Sequence, residues 1–228
     1  MSDNKTTVEP QYQYHVDRKA RNGLTSLGIE KSGSWHDDPR RILFALSRYK
    51  FVAKMLSGSN RVLEVGCGDG WPIPVVLQEV KHVHGIDIDP VFVEDMAERV
   101  DTKWPYTFAV HDMLVGPLNP AFDAAYSLDV LEHIAQEKEH IFIENIVASL
   151  SDKGVAIIGM PSLQSQEYAS PGSKAGHVNC KTAPDLKELF QRYFDNVFIF
   201  SMNDEVVHTG YYPMAQYLFA LCTGIKRR

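Results

Sequence analysis

Short apolar segments alternate with amphipathic segments between about residues 60 and 162. Five of the apolar segments have the composition and length of strands: RVLEVGC, HVHGIDI, YTFAVHDM, FDAAYSLDV and GVAIIGMP. The segments between them, such as IPVVLQEV and EKEHIFIENIVASL, have helical spacing, and Asp89 and Pro90 mark where another helix begins. Apolar strands separated by helices are typical of a parallel sheet that is covered on both faces. The pattern predicts an α/β fold.

The two ends of the chain depart from this alternation. DPRRILFALSRYKFVAKML is amphipathic, and we expect residues 1–58 to form an N-terminal helical cap, partly flexible at its start, on a main domain of residues 59–228. The helical segment APDLKELFQRYF and the strand-like segments NVFIFSM and YLFALC follow the fifth strand. Residues 163–184 and 203–216 form long loops around them, and long loops in a compact domain are usually functional.

Composition and charge exclude several function classes. The 228-residue chain has a formal net charge of −6, so it lacks the broad attraction to phosphate backbones that nucleic-acid binding needs. Its most apolar C-terminal run, YYPMAQYLFALC, is shorter than the roughly 20 residues of a membrane helix. The cysteines, Cys67, Cys180 and Cys222, have neither disulfide-framework nor zinc-site spacing. We expect a cytoplasmic protein with no nucleic-acid partner, no membrane insertion and no metal site.

A glycine-rich turn follows the first predicted strand, with glycines at positions 66, 68 and 70. The dinucleotide-binding fingerprint G-x-G-x-x-G needs a third glycine where this chain has Trp71. Two carboxylates, Glu64 and Asp69, flank the turn and would repel a pyrophosphate. S-adenosylmethionine carries a sulfonium and an ammonium group, which nearby carboxylates suit. The turn therefore favours the methyl donor over a nicotinamide dinucleotide.

Acidic residues at the ends of the next two strands agree with this interpretation. Asp87 ends the second strand about 20 residues after the turn, where a carboxylate can accept both ribose hydroxyls. Asp112 ends the third strand beside Met113, and these two residues are placed to contact the adenine amino group and ring. Ligands of open α/β sheets bind at such strand ends.

Five motifs in a fixed order carry a family resemblance: VLEVGCGDG, VHGIDIDP, AVHDML, FDAAYSLDVLEHI and LSDKGVAIIGMPS. The chain resembles the class I (Rossmann-like) S-adenosylmethionine-dependent methyltransferases, and is most similar to a small-molecule branch that includes ubiquinone-biosynthesis-type enzymes. The resemblance implies a doubly wound, mostly parallel seven-stranded sheet whose last strand is antiparallel, with NVFIFSM and YLFALC as its final hairpin. One departure is Trp71, where the family usually has a small residue.

The sequence motifs and the family resemblance together predict which residues form the site. The predicted cofactor-binding residues, for S-adenosylmethionine and its product S-adenosylhomocysteine, are Glu64, Gly66, Gly68, Asp87, Ile88, Asp112, Met113, Leu128 and Asp129. The candidate catalytic residues are His177, His133 and His208. The candidate substrate-binding residues are Trp35, His36, Tyr211 and Tyr212. Residues 163–184 and 203–216 are the predicted acceptor-site loops.

The predicted reaction is methyl transfer to a small polar molecule. A histidine with an ordinary pKa near 6.5 can accept a hydroxyl proton at neutral pH, so histidines on the acceptor loops favour O-methylation with His177 as base. N-methylation of a small amine, or a non-catalytic cofactor-binding module, remains an alternative. The sequence is also compatible with a homo-oligomer. The segment SLDV after the fourth strand lacks the Asn/Asp-Pro-Pro-aromatic motif of nucleic-acid amino-methyltransferases.

Overall fold

An eight-stranded sheet forms the centre of the computed structural model, which describes residues 6–99, 103–119 and 121–226. Its strands are β1 (Val62–Val65), β2 (Val83–Asp87), β3 (Thr107–Val110), β4 (Phe122–Leu128), β5 (Leu150–Pro161), β6 (Phe194–Asn203), β7 (Val206–His208) and β8 (Tyr217–Ile225). Their spatial order is β3-β2-β1-β4-β5-β8-β6-β7. β1 to β5 are parallel neighbours, and β8 runs antiparallel between β5 and β6. The order reverses direction at β1 and β4, which is the switch point where such sheets bind ligands.

Helices connect the strands and cover both faces of the sheet. They are α1 (Gln13–Asn22), α2 (Ile29–Asp37), α3 (Arg40–Met55), α4 (Ile73–Val76), α5 (Pro90–Arg99), α6 (Glu139–Ala148), α7 (Pro171–Gly176) and α8 (Ala183–Gln191). The Asp89 carboxylate accepts the backbone N–H of Val91, as expected for the residue that begins α5. The Thr182 hydroxyl caps α8 in the same way, by accepting the N–H of Asp185.

Two hydrophobic clusters sandwich the sheet. One contains Phe142 of α6 and Phe190 of α8, and the other contains Val52 of α3 and Met96 of α5. Successive residues of β5, such as those at positions 157 and 158, belong to opposite clusters because strand side chains alternate between faces. Burial on both faces explains why the central strands β1 and β4 are largely apolar, and the predicted doubly wound, mostly parallel fold is confirmed.

The predicted number of strands is corrected from seven to eight. The additional strand is β7, which lies inside the segment 203–216 that was predicted to be a loop. Asn203 pairs with Val206 across a two-residue turn in which Asp204 has a φ of 49°. This turn lets the chain fold back on β6 before it continues to β8, so β6 and β8 are neighbours without being a simple hairpin.

The N-terminal segment is helical over α1, α2 and α3, and these helices differ in how they pack. α3 buries four residues against the sheet, including Tyr49 and Val52, whereas α1 buries none. The predicted flexible start of the cap includes residues 1–5, which lie outside the described residues. Among the helices that the structure describes, none is both long and apolar enough to cross a bilayer.

Candidate functional site

A cavity of about 680 Å³ opens at the carboxyl ends of β1, β2 and β4. This volume lies within the range of about 300–1,000 Å³ that is usual for small-ligand sites. All of the predicted cofactor-binding residues except Glu64 line it: Gly66, Gly68, Asp87, Ile88, Asp112, Met113, Leu128 and Asp129. The structure therefore brings together residues that are spread over more than 60 positions of the chain.

The glycine turn forms one wall of the cavity. Gly66 has a φ of 76° and Gly68 a φ of 52°, a backbone region that side chains rarely allow. A Cβ atom on Gly66 would lie 2.2 Å from Cγ2 of Val130, so the turn also requires glycine for close packing. The Gly68 N–H donates to the Asp87 carboxylate at 2.8 Å, which ties the turn to the end of β2.

Carboxylates dominate the charged part of the cavity lining. Glu30, Asp87, Asp89, Asp112 and Asp129 line the cavity, whereas Lys31 is its one lysine or arginine among the lining residues described. Asp112 accepts the Leu114 N–H through Oδ1 at 2.8 Å, and this bond fixes its carboxylate at the end of β3. Such a lining favours a cationic ligand over a phosphate-rich one.

Glu64, which was predicted to contact the donor, is not among the residues that line the cavity. Its carboxylate is 1% exposed and accepts hydrogen bonds from the hydroxyls of Tyr49 and Tyr126, the latter at 2.7 Å. Burial raises the pKa of Glu64 to about 8, even though the tyrosine hydrogen bonds and the nearby Lys31 lower it. Tyr49 lines the cavity, so the hydrogen bond from its hydroxyl connects Glu64 to the cavity wall.

The beginning of α2 covers the glycine turn, and sequence reasoning missed this contact. The buried Asp69 carboxylate accepts the Lys31 N–H at 2.8 Å and the Trp71 N–H at 3.2 Å. A Cβ atom on Gly28 would lie 2.3 Å from Cγ of Asp69, so the two segments approach as closely as glycine permits. This packing places Glu30 and Lys31 at the cavity. The contact spans 38 positions and has no local sequence signal.

Asp129 is held at the end of β4 by a long-range ion pair with Arg48. Arg48 Nη1 lies 2.6 Å from Asp129 Oδ2, and the guanidinium stacks 3.9 Å from the centre of the Tyr217 ring. Asp129 has a φ of 59°, a strained backbone conformation for a residue other than glycine. Strain of this kind persists only where surrounding contacts enforce it, and here they orient a carboxylate at the cavity.

Two of the candidate catalytic histidines meet at the edge of the cavity. His133 lines the cavity, and its ring centre lies 5.0 Å from that of His177. His133 Nδ1 lies 2.9 Å from the Gly176 carbonyl oxygen, and His177 Nδ1 lies 2.8 Å from Oε1 of Gln166. Burial lowers the pKa of His177, and the neighbouring His133 adds to this effect. Because the Gly176 carbonyl and Gln166 Oε1 can only accept hydrogen bonds, both rings donate from Nδ1. In a neutral ring the lone pair is then on Nε2.

Glu132 lies beside these histidines and was not predicted as a site residue. Its side chain is fully buried, and burial, together with the charge of Asp129, raises the pKa of the carboxyl well above its usual range. Its backbone carbonyl accepts the N–H groups of Val178 and Asn179 at 2.8 and 3.0 Å. These bonds fasten the loop that carries His177 to the end of β4. From the sequence we expected Glu132 to lie on the solvent-facing side of a helix. Its burial in the structure is what marks it as a site residue.

The other predicted acceptor-site residues do not line this cavity. Trp35 and His36 lie on α2 with most of their surface exposed. His208 Nε2 bonds to Asn203 Oδ1 at 2.8 Å, and Tyr211 is 72% exposed. Tyr212 lines a second cavity of about 350 Å³ beside α8. The short β7 explains this outcome, because it pairs the 203–216 segment with the edge of the sheet.

Comparisons with known proteins identify the domain type. A family model described as a methyltransferase domain matches residues 16–194. A tRNA U34 carboxymethyltransferase of Shewanella halifaxensis is 34% identical over 129 residues, which are 54% of this chain and 37% of that protein. A ubiquinone biosynthesis O-methyltransferase of Xylella fastidiosa is 32% identical over 114 residues, or 45% of each chain. The matched segments thus span less than half the length of these curated relatives.

A solved structure shares the fold over almost the whole chain. The N-methyltransferase NodS of Bradyrhizobium japonicum, in complex with S-adenosylhomocysteine, superposes with a TM-score of 0.63. The superposition covers 92% of this chain and 97% of NodS, at 18% sequence identity.

Proposed function

Because the chain belongs to the methyltransferase-domain family, we propose that its cavity binds S-adenosylmethionine and that the protein methylates a small polar molecule. One observation carries the proposal: eight residues chosen from the sequence as donor contacts line a single cavity at the switch point of the sheet. The donor, when bound, supplies a methyl group activated by its positively charged sulfur.

The residues of the cavity fit the parts of this donor. Asp87 at the end of β2 binds the ribose hydroxyls, while Asp112 and the buried Met113 hold the adenine. The glycine turn allows the backbone to approach the methionine portion closely. The excess of carboxylates in the lining suits the two cationic groups of the donor.

The acceptor lies on the side of the cavity where His133 and His177 meet. The Nε2 atom of either ring can accept the proton of an acceptor hydroxyl. A base at this position favours methylation at oxygen. A positioned base contributes about 10²–10⁴-fold to such a step. The name of the Xylella relative places its own reaction at oxygen, which supports the same chemistry here. The rest of the cavity aligns the acceptor and excludes water.

Transfer of a labelled methyl group to a metabolite pool tests the proposal. We expect one labelled small molecule that carries a methyl ether. His177→Asn lowers turnover at least about 100-fold, by loss of proton removal, and leaves the affinity for S-adenosylhomocysteine within about twofold. His140→Asn, at an exposed position of α6, is the matched control and keeps full turnover.

Three results would contradict parts of this proposal. A labelled amine, formed at a rate that His177→Asn does not change, would replace O-methylation with N-methylation. Donor binding without any labelled product would indicate a non-catalytic binding module. Absence of donor binding would refute the proposal as a whole.

A further inference from the structure

Three side chains with metal-binding atoms converge where the cavity meets segment 163–184, which was predicted to be a loop and contains α7. One carboxylate oxygen of Glu132 and one ring nitrogen each of His133 and His177 all lie within 4.8 Å of one another. We propose that this cluster, termed the Glu-His-His cluster, is a binding site for a divalent transition-metal ion. The spacing of the cysteines led us to expect no metal site, and this cluster contains no cysteine.

The Glu132 carboxylate is the first observation that points to a cation. The side chain has no exposed surface, and neither carboxylate oxygen has a hydrogen-bond partner among the described residues. A buried polar group without a partner costs about 1–3 kcal/mol, and a buried charged group costs more. Arg48 lies near enough for its charge to lower the pKa of Glu132, but it pairs with Asp129 and makes no hydrogen bond to Glu132 within the described chain. A cation bound at the cluster would give one of these oxygens a partner and would offset the charge of the carboxylate.

The orientation of the two imidazoles is a second, independent observation. Each ring uses Nδ1 to donate to a fixed oxygen, the Gly176 carbonyl for His133 and the Gln166 side chain for His177. Histidine ligands of metals are held in this way, because the outer hydrogen bond fixes the tautomer and leaves the other nitrogen free to coordinate. A Cβ atom on Gly176 would lie 3.3 Å from the His133 ring, so the loop packs directly on this ligand.

The ligand set selects the kind of ion. Two imidazoles and one carboxylate suit zinc, cobalt, manganese or iron, whereas magnesium and calcium prefer oxygen ligands alone. Ligand atoms that are each about 2.1 Å from an ion lie roughly 3–4 Å apart, so small side-chain rotations close the site. Three protein ligands leave coordination positions open. Because His133 lines the cavity, a molecule in the cavity can reach these positions.

The role of this ion rests on the proposed function. An ion held by Glu132, His133 and His177 would act as a Lewis acid on the acceptor hydroxyl, lower the pKa of that hydroxyl and allow its proton to pass to water. The new oxygen–carbon bond then forms as the sulfur–methyl bond breaks, and the sulfur keeps the bonding electron pair. His177 would then serve as the base only in the metal-free protein, and in the metal-bound protein it would be a ligand while the proton leaves to water.

Cobalt titration tests the site without any need for the methyl acceptor. Full-length protein without a polyhistidine tag is stripped with a chelator and titrated with Co²⁺, and visible absorbance is recorded. We expect one Co²⁺ per chain, displaced by one equivalent of Zn²⁺. Glu132→Gln and His177→Ala each weaken binding at least about 100-fold, since loss of even an outer partner costs about 10–100-fold. His140→Ala, the matched exposed histidine, leaves it unchanged.

Affinity for S-adenosylhomocysteine, measured on each variant, shows that the donor cavity is folded. Variants that keep this affinity but lose Co²⁺ binding support the site. Stoichiometric binding that survives both substitutions would overturn it, as would the absence of stoichiometric binding to wild-type protein that still binds S-adenosylhomocysteine. Failure of the proposed function would instead appear as loss of donor binding or of methyl transfer by the wild-type protein.

Discussion

Glu64→Gln should change how the stability of the protein depends on pH. Burial raises the pKa of the Glu64 carboxyl from its ordinary 4.5 to about 8, in an environment formed by Tyr49, Tyr126, Cys67, Lys31 and Asp69. Between these two pH values the folded state retains a proton that the unfolded state releases. The free energy of unfolding therefore falls as the pH rises through this window, and it levels off above the folded pKa.

The size of the effect follows from the two pKa values. Each pH unit within the window lowers the stability of the wild-type protein by up to about 1.4 kcal/mol, which amounts to about 3 kcal/mol between pH 4.5 and pH 7. Glutamine stays neutral at every pH, so the variant escapes this loss. It loses part of the hydrogen bonding to the two tyrosines, which costs about 1–2 kcal/mol at low pH.

Urea unfolding at pH 5, 6, 7 and 8 measures the difference between the two proteins. We expect Glu64→Gln to gain about 3 kcal/mol relative to wild type over this range. Glu144→Gln, an exposed position on α6, controls for the loss of one negative charge from the chain. A difference that stays constant within about 1 kcal/mol from pH 5 to pH 8 would refute the conclusion that Glu64 holds its proton.

Three further substitutions test the contacts around the cavity. Arg48→Met should cost about 1 kcal/mol in urea unfolding because a largely buried guanidinium loses both its ion pair with Asp129 and its contact with the Tyr217 ring, whereas Arg40→Met breaks only an exposed pair and should leave the midpoint unchanged. Thr182→Ala should cost about 1 kcal/mol through loss of the α8 cap, and a serine there should restore stability. Gly66→Ala should weaken S-adenosylhomocysteine binding at least about tenfold in calorimetry, while Gly58→Ala, whose Cβ would meet open space, should not. Equal effects within any of these pairs would contradict the assigned contact.

Local patterns were sufficient to predict the strands and the residues at their ends. The positions of Gly66, Asp87 and Asp112 depend only on where a strand stops, and the topology of an α/β sheet then brings strand ends together. The apolar runs predicted a sheet buried on both faces for the same reason. The extra strand β7 escaped prediction because it is three residues long and depends on a turn at Asp204.

The contacts that shape the rest of the site join distant parts of the chain. Arg48 reaches Asp129 across 81 positions, and Asp69 reaches Lys31 across 38 positions. The pattern of apolar and polar residues along the chain can place each of these residues on a helix or in a loop. It does not indicate which distant residue each of them contacts. Glu132 shows the same limit, because an acidic residue in a first helical turn usually faces solvent and this one is buried beneath two histidines.

Calorimetric titration with S-adenosylhomocysteine measures whether the cavity at the ends of β1, β2 and β4 binds the product form of the methyl donor. We expect one molecule to bind per chain, and Asp87→Ala should weaken this binding at least about tenfold through loss of hydrogen bonds to a charged group. Asp195→Ala, at an exposed position of β6, should bind like the wild-type protein. A wild-type protein that does not bind S-adenosylhomocysteine, or an unchanged affinity in Asp87→Ala, would contradict the assignment of this cavity to the methyl donor.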